Sequence, residues 1–211
     1  MNIDSQYHVT TIILAGGKST RMGRDKALIP MGGVPMLQLI CTIGEACTDK
    51  VYVVTPWPER YQELLTPKSQ FIQEVPLPGE TGNEPRTHGP LVGFMQGLAA
   101  VETNWVLLLA CDLPNLRLEI LQNWIGQLNT IPENKIAALV QNHQIWQPLC
   151  GFYRRRCLPE LSQYIEQGGR SFQQWLKSYS VEVLPLEDSQ MLFNFNKNTP
   201  ELKEIGGLKR H

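Results

Sequence analysis

Residues 10–28 read TTIILAGGKSTRMGRDKAL, and this stretch decides the fold. Its first five residues are threonine, isoleucine and leucine, a short run that is typical of a buried strand. Glycines follow at once, and they let the backbone turn sharply and present amide N–H groups to an anion. The loop also carries four cations, at Lys18, Arg21, Arg24 and Lys26. A strand that runs into such a loop predicts phosphate binding at one edge of an α/β sheet.

Two common phosphate-binding motifs do not match this loop. Gly17-Lys18-Ser19 is similar to the end of a P-loop, but Ile12 stands where a P-loop needs its first glycine. A dinucleotide-binding G-x-G-x-x-G fails because Lys18 takes the place of the second glycine. The alternative to a phosphate site is a glycine turn with solvated lysines, but such turns rarely concentrate four cations beside one strand end. The phosphate site is therefore favoured.

Short apolar runs alternate with longer amphipathic stretches over the first two-thirds of the chain, which is the pattern of βαβ units around a parallel sheet. The strands that we expect there are residues 10–14, 50–55, 70–74 and 105–110, and the helices between them are residues 35–47, 58–65 and 90–101. The last third is less regular, with a helix at 116–128, strands at 136–140 and 146–153, helices at 158–167 and 171–178, a strand at 181–184 and a closing helix from Thr199. The prediction is a three-layer α/β fold, with a Rossmann-like, mostly parallel twisted sheet and helices on both faces, in a single domain over residues 1–211.

The composition excludes several classes of protein. The 211 residues carry 19 basic and 20 acidic side chains, a net charge of -1, so we expect no binding to nucleic acid. The longest apolar run, residues 106–111, is far shorter than the roughly 20 residues that cross a bilayer, so we expect no membrane span. The start MNIDSQYHVTT lacks the pattern of a signal peptide, and five cysteines without a C-x-x-C pair suit reduced thiols. We expect a cytoplasmic protein without disulfides or zinc.

Asp112 follows the apolar run 105–110, so it should stand at the carboxyl end of a buried strand, where open α/β sheets bind their ligands. A carboxylate there can hold Mg²⁺ together with phosphate oxygens. It can equally cap the helix that follows, and the residues alone leave both roles open.

Residues 75–90, VPLPGETGNEPRTHGP, are dense in proline, glycine and polar side chains, and they predict an irregular loop. The loop begins at the end of a predicted strand, so it should lie on the ligand side of the sheet. Its single histidine, His88, could contact a phosphate, but an isolated histidine is more often a solvated side chain.

Four segments resemble the molybdenum cofactor guanylyltransferases, a family within a wider group of nucleotidyltransferases. Residues 14–28 fit L-A-G-G-x-S-x-R-M-G-x-D-K-A-L, residues 89–93 are GPLVG, residues 111–114 are CDLP, and residues 196–202 are NKNTPEL. These matches follow the family's order over almost the whole chain. The resemblance implies a nucleotide-binding half at about residues 9–115 and a pterin-side half at about residues 116–211.

The resemblance also implies roles for individual residues. Those that it places on the nucleotide are Leu14, Ala15, Gly16, Gly17, Thr55 and Glu74. Lys26, Arg21 and Asp112 would be catalytic, with the two cations on the phosphates and the carboxylate as the ligand of Mg²⁺. Thr55 stands where the family has an asparagine, and Glu74 stands where it usually has an aspartate.

On the pterin side the resemblance places Asn196 and Asn198, and Asn198 is equally suited to capping a helix that starts at Thr199. The implied reaction transfers GMP from GTP to molybdopterin and releases pyrophosphate, with Mg²⁺ as the implied cofactor. GTP and molybdopterin are the implied substrates. Proteins that insert molybdenum and mature molybdoenzymes are the implied protein partners.

Two alternatives stay open. One is a cytidylyl- or sugar-nucleotide transferase of the same superfamily, although those relatives more often carry L-A-A-G, and the pair Asp25-Lys26 also favours the guanylyl branch. The other is a non-catalytic nucleotide-binding module, which would have no use for a metal-binding carboxylate at Asp112. The lack of a Ser-His-Asp arrangement does not argue against catalysis, because a phosphate monoester is already an anion at pH 7 and needs no protein base.

Overall fold

The computed structural model describes residues 8–17, 25–80, 87–186 and 189–192. The strands and α-helices follow one another as β1 Val9–Leu14, β2 Pro30–Met31, β3 Val34–Pro35, α1 Met36–Cys47, β4 Lys50–Thr55, β5 Ser69–Gln73, α2 Pro90–Ala99, β6 Trp105–Ala110, α3 Leu118–Gln127, β7 Ala137–Asn142, β8 Ile145–Arg154, α4 Leu158–Glu166, α5 Phe172–Leu176 and β9 Val181–Val183. Short 3-10 helices lie at Lys26–Leu28, Pro58–Arg60, Gln62–Leu64, Leu128–Thr130, Arg155–Cys157 and Ser189–Leu192.

Seven strands form one sheet in the order β5-β4-β1-β6-β8-β7-β9. All its neighbouring pairs are parallel except the two that involve β8, which runs antiparallel to both β6 and β7. Strand β1 lies between β4 and β6, so the chain moves outward from β1 first in one direction and then in the other. The expected mostly parallel sheet is confirmed.

Helices cover both faces of this sheet, which confirms the three expected layers. On one face α1 and α3 pack against the strands, with Leu37 and Trp124 among the buried side chains. On the other face α2, α4 and α5 do the same, with Phe94 and Trp175 among the buried side chains. Strands covered on both faces read as continuous apolar runs rather than alternating ones, and β6 is buried at every position.

The predicted helix at 58–65 is wrong. Two 3-10 turns, Pro58–Arg60 and Gln62–Leu64, stand there instead. Tyr61 separates them with φ -124° and ψ 7°, outside the helical region. Its side chain is buried in the layer that contains α1, so a tertiary contact outweighs the local helical pattern.

A small hairpin formed by β2 and β3 was not predicted. Gly32 and Gly33 connect its strands with φ of 59° and 89°, a left-handed conformation that glycine adopts without strain. The Gly-Gly pair is a recognised hairpin signal and could have revealed it. The predicted closing helix from Thr199 lies outside the described residues. Within the described residues, no helix is long and apolar enough to cross a membrane.

Candidate nucleotide site

A cavity of about 380 Å³ opens at the carboxyl ends of β1, β4 and β6. This is the point where the order of strands reverses, and open α/β sheets bind their ligands in the crevice at such a point. The residues that line the cavity are Leu14, Ala15, Gly16, Gly17, Asp25, Lys26, Val54, Glu74, Thr87, Gly89, Pro90, Gly93, Ala110, Cys111, Asp112 and Leu149. The glycine loop and Asp112 therefore line the same cavity.

Main-chain hydrogen bonds fix the floor of this cavity. The Ala15 amide donates to the Val54 carbonyl at 2.9 Å, and the Cys111 amide donates to the Leu14 carbonyl at 3.2 Å. Both bonds continue the pairing of the strands past their ends. The first residue of the glycine loop and the residue before Asp112 are thus held by the sheet itself.

Gly16 and Gly17 differ in how closely they are packed. A Cβ added to Gly16 would lie 3.1 Å from Cδ of Pro56 and 3.3 Å from Oε2 of Glu74, whereas one added to Gly17 would meet no atom of the described residues within 4 Å. Gly16 is therefore needed for the close approach of the loop to Glu74. Gly17 lines the cavity, where a ligand would lie.

Lys26 and Asp112 form an ion pair at the mouth of the cavity. The Lys26 Nζ lies 2.8 Å from Oδ2 of Asp112, and the side chains are 22% and 18% exposed. Lys26 opens a 3-10 turn whose N-cap is Asp25, since Oδ1 of Asp25 accepts from the Ala27 amide at 3.0 Å. Oδ2 of Asp25 accepts from the hydroxyl of Tyr61 at 2.5 Å. Asp25, which precedes Lys26, is thus held through both of its carboxylate oxygens.

Glu74 is a buried carboxylate on the opposite wall. Its side chain is 3% exposed, and Oε1 accepts from the His88 amide at 2.6 Å and lies 3.2 Å from Nδ1 of the same residue. Burial raises the pKa of the Glu74 carboxyl, and the hydrogen bonds with His88 oppose that shift. The prediction of a solvated His88 is wrong, because its ring is only 7% exposed and its Nε2 lies 2.5 Å from Oε2 of Glu80.

Helix α2 points its first turn at the cavity. Gly89 precedes it with φ 91°, and Pro90 and Gly93 line the wall. The unpaired amides at the start of a helix carry partial positive charge and attract anions. This end of α2 adds to the positive potential that the lysine provides.

Most of the residues expected in the site are brought together. Thr55 differs, because it is fully buried and its hydroxyl accepts from the Trp57 amide at 3.2 Å, while its neighbour Val54 lines the cavity. The residues expected at the site that lie outside the described part of the chain are Arg21, Asn196 and Asn198. Asp25, Cys111 and Leu149 also line the cavity and were not predicted there, although Asp25 and Cys111 adjoin the predicted residues Lys26 and Asp112.

The donor set allows a magnesium site with one protein carboxylate. Within the described residues, no three His, Cys, Asp or Glu side chains lie together as a ready metal cluster. Asp112 is partly exposed at the cavity, and Mg²⁺ in nucleotide sites commonly takes one or two carboxylates and completes its shell with water and phosphate oxygens. The residues present therefore fit a metal that arrives with a phosphate ligand.

The doubly wound sheet, the glycine loop and the lysine–aspartate pair at the reversal point define a nucleotidyltransferase-like protein. Residues 11–183 match the MobA-like NTP transferase domain, and the chain belongs to that family. It is 56% identical to a probable molybdenum cofactor guanylyltransferase of Nostoc sp. strain PCC 7120 over 92% of this chain and 88% of the relative. It is 42% identical to a protein of that name from Synechococcus elongatus, over 89% of this chain and 93% of the relative.

A solved structure has the same fold. Molybdopterin-guanine dinucleotide biosynthesis protein A from Archaeoglobus fulgidus aligns with a TM-score of 0.70 and 21% sequence identity, over 92% of this chain and 95% of that one.

Proposed function

We propose that the protein transfers GMP from GTP to molybdopterin, which releases pyrophosphate and forms the guanine dinucleotide form of the molybdenum cofactor. The observation that carries this proposal is the Lys26–Asp112 ion pair. It lines the same cavity as the glycine loop, at the point where the order of strands in the sheet reverses. The names of relatives that are 56% and 42% identical support guanylyl transfer over the other nucleotides.

The chemistry needs positioning and charge neutralisation rather than a protein base. An oxygen of the terminal phosphate of molybdopterin forms a bond to the α-phosphorus of GTP, and the bond from that phosphorus to the bridging oxygen of the pyrophosphate breaks. The attacking phosphate monoester is already an anion, because its second pKa is about 6. The electron pair leaves with pyrophosphate.

The described residues supply positive potential where charge develops. Lys26 lies at the mouth of the cavity and can move from Asp112 to a phosphate oxygen when the nucleotide binds. The amides of Gly16 and Gly17 and the first turn of α2 surround the same space. Such preorganised donors are the main source of catalysis in phosphoryl and nucleotidyl transfer.

Mg²⁺ is part of the proposal. Asp112 would hold it, and when bound it would neutralise charge on the phosphates of GTP. We also retain Arg21 as a second cation on the phosphates, and Asn196 and Asn198 as pterin contacts, on the strength of the family resemblance.

Glu74 is the proposed acceptor for the base. A carboxylate can accept from the N1–H and N2–H₂ donors of guanine, which adenine and cytosine do not present together. Because Oε1 already accepts from His88, either Oε2, which faces Gly16, takes the base, or His88 exchanges its partner. Thr55 supports Glu74 through its main chain, since its carbonyl accepts from the Glu74 amide at 2.9 Å.

The decisive experiment incubates the protein with Mg²⁺, molybdopterin and each NTP in turn and measures pyrophosphate. We expect release with GTP, and none when molybdopterin is omitted. Calorimetry should show GTP binding tighter than CTP and ATP. Tighter CTP binding with CTP-dependent release would assign the cytidylyl alternative, and nucleotide binding without release would leave a binding module.

Partners and compartment complete the proposal. We retain proteins that insert molybdenum and mature molybdoenzymes as the partners that would deliver the acceptor and receive the product. The compartment that we propose is the cytoplasm, because the five cysteines are free thiols and reducing compartments keep thiols in that form.

Burial raises the pKa of Cys150 to about 12, which makes this thiol a poor nucleophile.

A further inference from the structure

Tyr61 has a hydroxyl at the back of the nucleotide site that the proposed chemistry does not use. The residue is 1% exposed and lies between the two 3-10 turns that connect β4 with β5. Its hydroxyl donates to Oδ2 of Asp25 at 2.5 Å. Burial and the neighbouring carboxylate raise the pKa of Tyr61 far above its ordinary value, so the phenol keeps its proton and remains a donor.

Asp25 transmits this contact to the catalytic lysine. Its other oxygen, Oδ1, accepts from the Ala27 amide at 3.0 Å and caps the 3-10 turn Lys26–Leu28. Lys26 is the first residue of this 3-10 turn, and its Nζ lies 2.8 Å from Oδ2 of Asp112. A carboxylate held at one oxygen only can rotate about its χ angles, whereas one held at both oxygens fixes the turn that it caps.

From this chain of contacts we infer that Tyr61 is a positioning residue for nucleotidyl transfer, acting through Asp25 on Lys26. The inference rests on the proposed function for its kinetic consequence, but the positioning itself needs no ligand. Tyr61 comes from the β4–β5 connection and supports the loop that follows β1 from the buried side. A displacement of about 1 Å in a catalytic group can cost up to about 100-fold in rate.

The test is a double-mutant cycle of Tyr61→Phe and Lys26→Met. Tyr61→Phe removes only the hydroxyl, and we expect kcat/KM for GTP to fall about tenfold, the size of one lost hydrogen bond. In the Lys26→Met background the same change should cost less than about twofold, because residues that act as one unit are not additive. A tenfold loss in both backgrounds would show a general disturbance, and no loss in either would show no role; each overturns the inference.

The matched control is Thr11→Val in β1, away from the cavity. This change removes a buried hydroxyl whose oxygen lies 2.8 Å from the hydroxyl oxygen of Thr48. It should lower stability to a similar extent and leave kcat/KM unchanged. Hydrogen exchange in the protein without ligand gives a separate readout. The Ala27 amide should exchange about two- to tenfold faster in Tyr61→Phe and at the normal rate in Thr11→Val.

The exchange result separates failure of this inference from failure of the proposed function. If the wild type releases no pyrophosphate from GTP and molybdopterin, the proposed function fails, and faster Ala27 exchange in Tyr61→Phe still supports the positioning role. If Ala27 exchange is unchanged, the positioning role is excluded, whatever the activity.

Discussion

Lys26 and Asp112 are 86 positions apart in the sequence, yet the Lys26 Nζ lies 2.8 Å from Oδ2 of Asp112. The loop after β1 provides the lysine, and the end of β6 provides the aspartate. Because β1 and β6 are parallel neighbours, their carboxyl ends meet at one edge of the sheet. The pair balances its own charge before any nucleotide enters, so an arriving triphosphate finds a lysine that is already ordered.

Removal of the Asp112 carboxylate should abolish most turnover. If Asp112 holds the proposed Mg²⁺, Asp112→Asn should lose at least about 100-fold in rate, because the ion that neutralises charge on the transferring group is no longer positioned. The fold should survive, since the side chain is partly exposed and its loss opens no core cavity. Pyrophosphate release across a MgCl₂ series, with a thermal melt, measures both effects.

The control for this variant is Asp49→Asn, a change of the same charge at an exposed aspartate that pairs with exposed His8. It should leave activity and magnesium dependence unchanged. A near-normal rate with ordinary magnesium dependence in Asp112→Asn would exclude the proposed metal role, and Asp112 does not cap α3 either, because the N-cap of that helix is Arg117.

The two loop glycines offer a matched pair. Gly16→Ala should lower the free energy of unfolding by about 1–2 kcal/mol, since its Cβ would press on Pro56 and Glu74. Gly17→Ala should keep or slightly raise stability, because its Cβ contacts no atom of the part of the chain that the structure describes. Urea denaturation measures both values. Equal destabilisation by the two variants would show that the loop does not pack as described.

Glu74 should make stability depend on pH. Burial raises its pKa in the folded state, so its contribution to stability is complete below the unfolded pKa of about 4.3 and is lost as the pH rises through the folded value. Glu74→Gln removes this titration. Its stability relative to the wild type should therefore increase as the pH rises above the unfolded pKa of about 4.3, as measured by urea denaturation at a series of pH values.

Glu63→Gln is the control for that series, because Glu63 is exposed and the change of charge is the same. Its stability relative to the wild type should vary little over the same pH range. A flat difference for Glu74→Gln would mean that the hydrogen bonds from His88 fully offset the cost of burial.

His88 should stabilise the segment that leads into α2. We expect His88→Ala to cost about 1–3 kcal/mol of stability, because Glu74 and Glu80 both lose a ring partner. The amides of residues 87–89 should exchange faster, and KM for GTP should rise. His8→Ala, which removes an exposed histidine with an exposed partner, should change stability by well under 1 kcal/mol. Identical melts for the two variants would contradict the buried network.

The sequence was sufficient where a signal is local. The bounds of β4 and β6 were predicted to the residue because continuous apolar runs mark strands buried on both faces. The position of Asp112 just after a buried strand was also predicted, because the apolar run 105–110 ends beside it.

The features that were missed depend on contacts between distant segments. The helix predicted at 58–65 fails because Tyr61 turns into the core to meet Asp25, and no periodicity in that segment records the partner. His88 looks solvated in its own loop, and only the fold places it between Glu74 and Glu80. The environment of a side chain whose partner lies far along the chain can be assigned only when the fold shows where both residues lie.

The main-chain bonds from Ala15 to Val54 and from Cys111 to Leu14 have an evolutionary consequence. They fix the cavity floor without using any side chain, so substitutions around the rim can accumulate while the floor keeps its shape. Leu149 contributes to that rim from β8, the strand that runs against its neighbours. A protein with this fold can change its acceptor substrate through a few substitutions on the rim, while the cavity floor that binds the nucleotide keeps its shape.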